Sequence, residues 1–108
     1  MTTIKKMDSQ RLIDKYPDRV PIIIRDTELV DKKKYLVPLE CTVAQFNYII
    51  RKRMKNLSDE KAIFIFFKKD DDNSVLQSST LPVGDVYARC ASSDGFLYAT
   101  LSEENTFG

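Results

Sequence analysis

Residues 33–67 read KKYLVPLECTVAQFNYIIRKRMKNLSDEKAIFIFF, and this stretch decides the fold. In its middle, Thr42 with Gln45 three residues on forms a capping box, in which two helix-start donors are satisfied reciprocally. Val43, Phe46, Ile49, Ile50 and Met54 then recur at helical spacing. Arg51, Lys52, Arg53 and Lys55 gather in the last turns, where cations complement the helix dipole. The pattern predicts a helix over 42–55. It is flanked by two short β-forming runs, 33–38 ending at Pro38 and 62–67 entered through a turn at 57–60.

Upstream, residues 20–25 (VPIIIR) predict another strand, with Pro21 near its start where a missing N–H is tolerated. The connection 26–31 is short, which favours an antiparallel hairpin with 33–38. Residues 3–15 carry Ile4, Met7, Leu12 and Ile13 among charges, a moderately amphipathic helix stopped by Pro17. Downstream lies a polar loop, 68–79. Thr80-Leu-Pro82 then reads as the cap and first turn of a short helix to about Arg89. A last strand, 96–101, precedes a flexible tail, 102–108.

This order, α–β–β–α–β–α–β, is that of an α+β ubiquitin-like β-grasp: a four-stranded mixed sheet with the central helix on one face. Residues 22–24 and 63–67 are continuous apolar runs, which belong to a sheet covered on both faces. The 42–55 helix can cover one face only, so the N-terminal helix is expected on the other. The whole chain, 1–108, reads as a single domain with a helical extension over 1–16.

Composition narrows the function. The chain of 108 residues has no histidine, which removes Ser-His-Asp and Cys-His catalysis and the usual zinc sites. Its three glycines cannot form a phosphate-cradling G-x-G-x-x-G or P-loop. No enzyme, cofactor or metal is expected. Asp70-Asp-Asp72-Asn73 suggests calcium, but the glycine and the bidentate glutamate of such a loop are missing, so it reads as a solvated loop. Cys41 and Cys90 fit no metal or redox spacing and read as free thiols of a cytoplasmic protein. The formal charge of +1 hides an asymmetry: residues 1–55 carry 13 Lys/Arg against 7 Asp/Glu, and residues 56–108 carry 4 against 9. Such a split usually reports a charged partner.

Three long stretches, KYPDRVP (15–21), DKKKYLVP (31–38) and TVAQF (42–46) running on to IRKR (50–53), resemble the autophagy ubiquitin-like modifiers of the GABARAP group. The resemblance extends through Phe64 and Phe66, the Leu97-Tyr98 strand and the terminal Phe107-Gly108. It implies a protein activated through its C-terminal glycine by an ATP-using enzyme, passed as thioesters and joined to phosphatidylethanolamine. A processing and deconjugating cysteine protease acts on such modifiers. On autophagosomal membranes they bind cargo receptors and adaptors that carry an aromatic-x-x-aliphatic motif. Gly108 is then the conjugated residue, with no side chain to obstruct a narrow catalytic channel.

As a sheet edge, residues 33–38 would offer unpaired N–H and C=O groups to an extended peptide. Alternation sends Lys34 and Leu36 towards the N-terminal helix, and Tyr35 and Val37 towards the 42–55 helix. The resemblance places an aromatic pocket at Asp8, Leu12, Pro21, Ile23, Lys34, Leu36 and Phe96. It places an aliphatic pocket at Tyr35, Val37, Pro38, Cys41, Phe46 and Ile49. Arg19, Lys32, Arg51 and Arg53, with Lys34, would form a basic rim that attracts acidic flanks of the motif. Phe64 and Phe66 are expected to contact the conjugation machinery. Two other readings are a ubiquitin-like modifier of proteins and an unconjugated basic scaffold for microtubules or RNA. No RNP-like aromatic pattern supports a specific nucleic-acid site.

Against that family the chain begins late, so the first of its two N-terminal helices is expected to be short or absent. The hairpin connection is shorter, and the acidic loop 68–79 longer. Gly95 also stands beside Phe96 where an aromatic is expected, which predicts a looser aromatic pocket.

Overall fold

The computed structural model describes residues 2–25, 30, 32–54, 61–68 and 74–105. Its elements are α1 (Thr2–Lys15), β1 (Arg19–Ile24), β2 (Lys34–Pro38), α2 (Val43–Arg53), β3 (Lys61–Lys68), β4 (Ser74–Leu76), α3 (Val83–Cys90) and β5 (Leu97–Asn105). The sheet runs β2-β1-β5-β3-β4. Parallel pairing of β1 with β5 at its centre, antiparallel elsewhere, is the expected mixed β-grasp.

Three boundaries differ from the sequence reading. The three-residue β4 arises inside the expected loop, because Ser74–Leu76 pair with Phe66–Lys68. Residues 102–105 belong to β5 rather than to a tail, held by pairing with Lys61–Phe64. Finally, α3 starts at Val83 with Pro82 as its N-cap, and Thr80 does not cap it. The N–H groups of Val83 and Gly84 go instead to the carbonyls of Cys41 (2.7 Å) and Leu39 (3.0 Å). A neighbouring turn thus replaces the side-chain cap.

Alternation sorts the sheet into two faces. Val20, Ile22, Ile24, Tyr35, Val37, Ile63, Ile65 and Phe67 are all buried in the main core with Phe46 and Ile50 of α2. Tyr35 meets Phe46 edge-on at 5.9 Å, and Phe46 lies 6.5 Å from Phe67. The capping box that starts α2 is formed in both directions: Thr42 Oγ1 accepts from the Gln45 N–H (3.1 Å), and Gln45 Oε1 from the Thr42 N–H (2.9 Å). Val83, Val86 and Cys90 of α3 close the same core.

The other face carries Pro21, Ile23, Phe96 and Tyr98, over which α1 packs against β1. The expected second cover therefore exists over β1, whereas Phe64 and Phe66 of β3 stay half-buried. The apolar stripe foreseen for α1 is weak. Leu12 and Ile13 are only half-buried, and the fully buried residue is Ser9 (1% exposed). Ile4 and Met7 have side chains outside the described residues.

Candidate functional site

The β2 strand is one of the two outer strands of the sheet, paired on one side with β1. Its register puts Ile23 opposite Lys34 and Pro21 opposite Leu36, on the face towards α1. Phe96, just before β5, is buried on that face, and the Lys34 ammonium stands 5.5 Å from its ring centre. Leu12 and Asp8, half-buried, lie on the helix that crosses β1. The residues expected to form an aromatic pocket therefore come from α1, β1, β2 and the residue before β5 to one sheet face beside the β2 edge.

What locks that corner was not foreseen. The Ser9 hydroxyl donates to the carbonyl of Asp94 (2.5 Å), tying α1 to the turn before β5. Asp94, itself buried, accepts from the Phe96 N–H through Oδ1 (3.0 Å) and from the Tyr98 hydroxyl through Oδ2. The Tyr87 hydroxyl donates to the Gly95 carbonyl (2.6 Å), and the Arg25 guanidinium covers the Tyr98 ring at 4.6 Å. Gly95 has φ of +90°, a region that suits glycine. The turn is tight rather than loose, and Phe96 is 1% exposed. A glycine two residues before a Leu-Tyr strand was the available signal.

On the other side of the edge an open groove of about 670 Å³ is lined by Pro38, Glu40, Cys41, Ala44, Gln45, Tyr48 and Ile49. Of the six residues expected to form an aliphatic pocket, Pro38, Cys41 and Ile49 line it. Tyr35, Val37 and Phe46 lie in the core, at 6%, 3% and 0% exposure. The reason is alternation: side chains that point inward from β2 support the groove and do not face it. Glu40, Ala44, Gln45 and Tyr48 were missed because none reads as an apolar anchor in sequence. Burial pushes the Cys41 thiol above its ordinary value, and the Glu40 carboxylate adds to this.

The groove's outer wall, residues 39–41, is pinned at several points. The Leu39 N–H donates to the Asp18 carbonyl (3.1 Å), the Cys41 N–H to that of Pro38 (3.0 Å), and α3 supplies the two donors already described. Of the basic rim, Arg19, Lys32, Lys34 and Arg53 are exposed and Arg51 is half-buried. The Lys32 ammonium lies 5.3 Å from the Tyr35 ring centre, and that of Lys52 lies 4.6 Å from Tyr48. Phe64 lines a smaller cavity of about 430 Å³ between α2 and β3, together with Asn47, whose amide donates to the Ile63 carbonyl (3.0 Å). Phe66 is not among its lining residues. Gly108 and the acidic run 70–73 lie outside the described residues, and Cys41 and Cys90 are free thiols.

The β2 edge thus has Lys34, Leu36 and the buried Phe96 on one face and an apolar groove on the other. A family profile described as "Autophagy protein Atg8 ubiquitin like" matches residues 4–108. The chain belongs to the Atg8 family. It is 50% identical to autophagy-related protein 8 of Schizosaccharomyces pombe, over 96% of this chain and 85% of that protein. Against autophagy-related protein 8c of Arabidopsis thaliana it is 46% identical, over 96% and 87%. The crystal structure of Trypanosoma brucei ATG8 superposes with a TM-score of 0.75 at 33% identity, covering all of this chain and 92% of that one. Atg8 proteins are ubiquitin-like autophagy modifiers, not enzymes. They are conjugated to phosphatidylethanolamine and bind short peptide motifs, and they work in the cytoplasm and on autophagosomal membranes.

Proposed function

We propose that this Atg8 protein captures aromatic-x-x-aliphatic peptides along the β2 edge while its Gly108 is joined to phosphatidylethanolamine. The observation that carries the reading is the apolar groove at the end of an outer strand whose far edge pairs with no other strand among the described residues. An extended peptide pairs with the β2 backbone and alternates its side chains between the two faces. Its aromatic anchor sits by Lys34, Leu36 and Phe96, and its aliphatic anchor three residues on sits by Pro38, Cys41 and Ile49. That order runs parallel to β2.

Each buried anchor contributes roughly 2–3 kcal/mol. Ordering the free peptide offsets much of this, so affinities near micromolar, about −8 kcal/mol, follow. Arg19, Lys32, Arg51 and Arg53 steer acidic flanks of the peptide. Phe64 and Phe66 present a separate surface to the conjugating enzymes.

The covalent step is carried out by partner enzymes. An activating enzyme forms the Gly108 acyl-adenylate from ATP, releasing pyrophosphate. A cysteine thiolate displaces AMP to give a thioester, which is passed to the conjugating enzyme. The lipid amine then attacks the thioester, forming an amide and returning the thiol. A cysteine protease processes the precursor and reverses the linkage.

One experiment separates these parts. With activating and conjugating enzymes, ATP and phosphatidylethanolamine liposomes, the wild type is expected to form a lipid adduct and Gly108→Ala to form almost none. No adduct from the wild type overturns the conjugation reading. For the groove, Leu36→Ala and Arg51→Ala should each weaken an acid-flanked motif peptide, and unchanged capture by both removes the assignment.

A further inference from the structure

The groove is larger than one aliphatic side chain. Its volume of about 670 Å³ falls in the range of roughly 300–1,000 Å³ that accommodates ligands of many atoms. Pro38, Cys41 and Ile49 form only part of its lining. The remainder is Glu40, in the turn that directly follows β2, and Ala44, Gln45 and Tyr48 along α2. A peptide running parallel to β2 reaches Glu40 with the residues that follow its aliphatic anchor.

Three observations fix the chemistry of those residues. Tyr48, which lines the groove, is 60% exposed, and Leu39, next to Glu40 in the chain, is 40% exposed. The Lys52 ammonium lies 4.6 Å from the centre of this exposed Tyr48 ring. Glu40 is the one acidic residue lining the groove, and it has no ion-pair partner among the described residues. The cations around β2 therefore give way to the Glu40 carboxylate just past its C-terminal end, while Lys52 keeps a positive charge beside Tyr48.

We propose that the groove also binds the segment just after the aliphatic anchor, and that it selects an apolar residue against Tyr48 followed by a lysine or arginine beside Glu40. The inference rests on the peptide reading above and names which motif-bearing partners the protein prefers: acidic before the motif, apolar and basic after it.

The test uses the full-length protein and three synthetic peptides: the core motif alone, the core followed by Leu-Lys, and the core followed by Leu-Glu. By calorimetry at low salt, the wild type is expected to bind the lysine peptide about three- to fivefold more tightly than the glutamate peptide, as for an exposed ion pair. That ratio should approach one in Glu40→Gln, invert in Glu40→Lys, and shrink as salt rises. Tyr48→Ser should reduce the gain of the extended lysine peptide over the core. A wild-type ratio near one, or the same ratio in Glu40→Gln, overturns the inference while leaving the core groove standing. If the core peptide itself fails to bind the wild type, the groove reading falls and this one with it.

Discussion

A β-carbon added at Gly95 would lie 2.2 Å from the hydroxyl oxygen of Ser9 and 2.9 Å from its β-carbon. The two residues are interlocked: the small side chain on α1 and the missing one in the turn let helix and sheet approach closely enough for Ser9 to reach the Asp94 carbonyl.

Gly95→Ala meets both this clash and a φ of +90°. It should cost roughly 2–4 kcal/mol, a left-handed backbone alone accounting for about 1–2. Adding Ser9→Gly removes the steric part, so the double variant should be more stable than the sum of the single losses predicts. Urea midpoints of the four proteins measure this, and strict additivity would show that the contact does not matter.

Gly84 plays a subtler part. Its β-carbon would meet the Leu39 carbonyl oxygen at 3.1 Å, the same oxygen that accepts from the Gly84 N–H. Alanine gains roughly 1 kcal/mol of helix propensity, which offsets the crowding. Gly84→Ala should therefore keep its stability within about 1 kcal/mol, yet weaken a motif peptide about threefold by displacing the groove wall. Paired denaturation and binding titrations give the two numbers.

The Lys34 ammonium over the Phe96 ring stands where the aromatic anchor of a peptide is proposed to enter. Lys34→Glu should slow association of an acid-flanked peptide by about tenfold at low salt, with a smaller effect on dissociation. Stopped-flow traces should show the difference fading as ionic strength rises and the Debye length falls.

Several elements were legible in the sequence because their causes are local. The α2 cap needs only Thr42 and Gln45, and the strands follow from apolar runs bounded by turn residues. Others were not, because a distant segment makes them. Ser74–Leu76 become a strand only against Phe66–Lys68. The start of α3 is set by carbonyls from residues 39 and 41. Ser9 is polar and sits among charges, so nothing nearby marks it as the buried contact of its helix. The groove was half legible for the same reason: motif residues pointed to the right edge, but which side chains line it depends on α2 and the 39–41 turn together.

Alkaline pH should act in two steps. Burial and Glu40 push the Cys41 thiol above its ordinary 9.0, and burial and Asp94 push the Tyr87 hydroxyl above its ordinary 10.0. Both groups keep their protons longer when folded, so the unfolded chain binds fewer protons at high pH. Their contribution is fully present below pH 9.0 and is lost as pH rises through each folded-state value. Cys41→Ala should flatten the first part of the decline and Tyr87→Phe the second, read from urea midpoints between neutral and strongly alkaline pH. A decline that neither variant alters would place its cause elsewhere.

The position of β5 has a consequence for biosynthesis. Among the described residues no pairing joins β1 to β3 directly; β5 lies between them and is the last of the described strands to be made. A nascent chain can form the β1–β2 hairpin early, but the two halves of the sheet stay apart until residues 97–105 leave the ribosome. Closure of the sheet is then a late event, gated by synthesis of β5. A chain cut short before this strand would be left with unpaired strand edges, a ready mark for quality control.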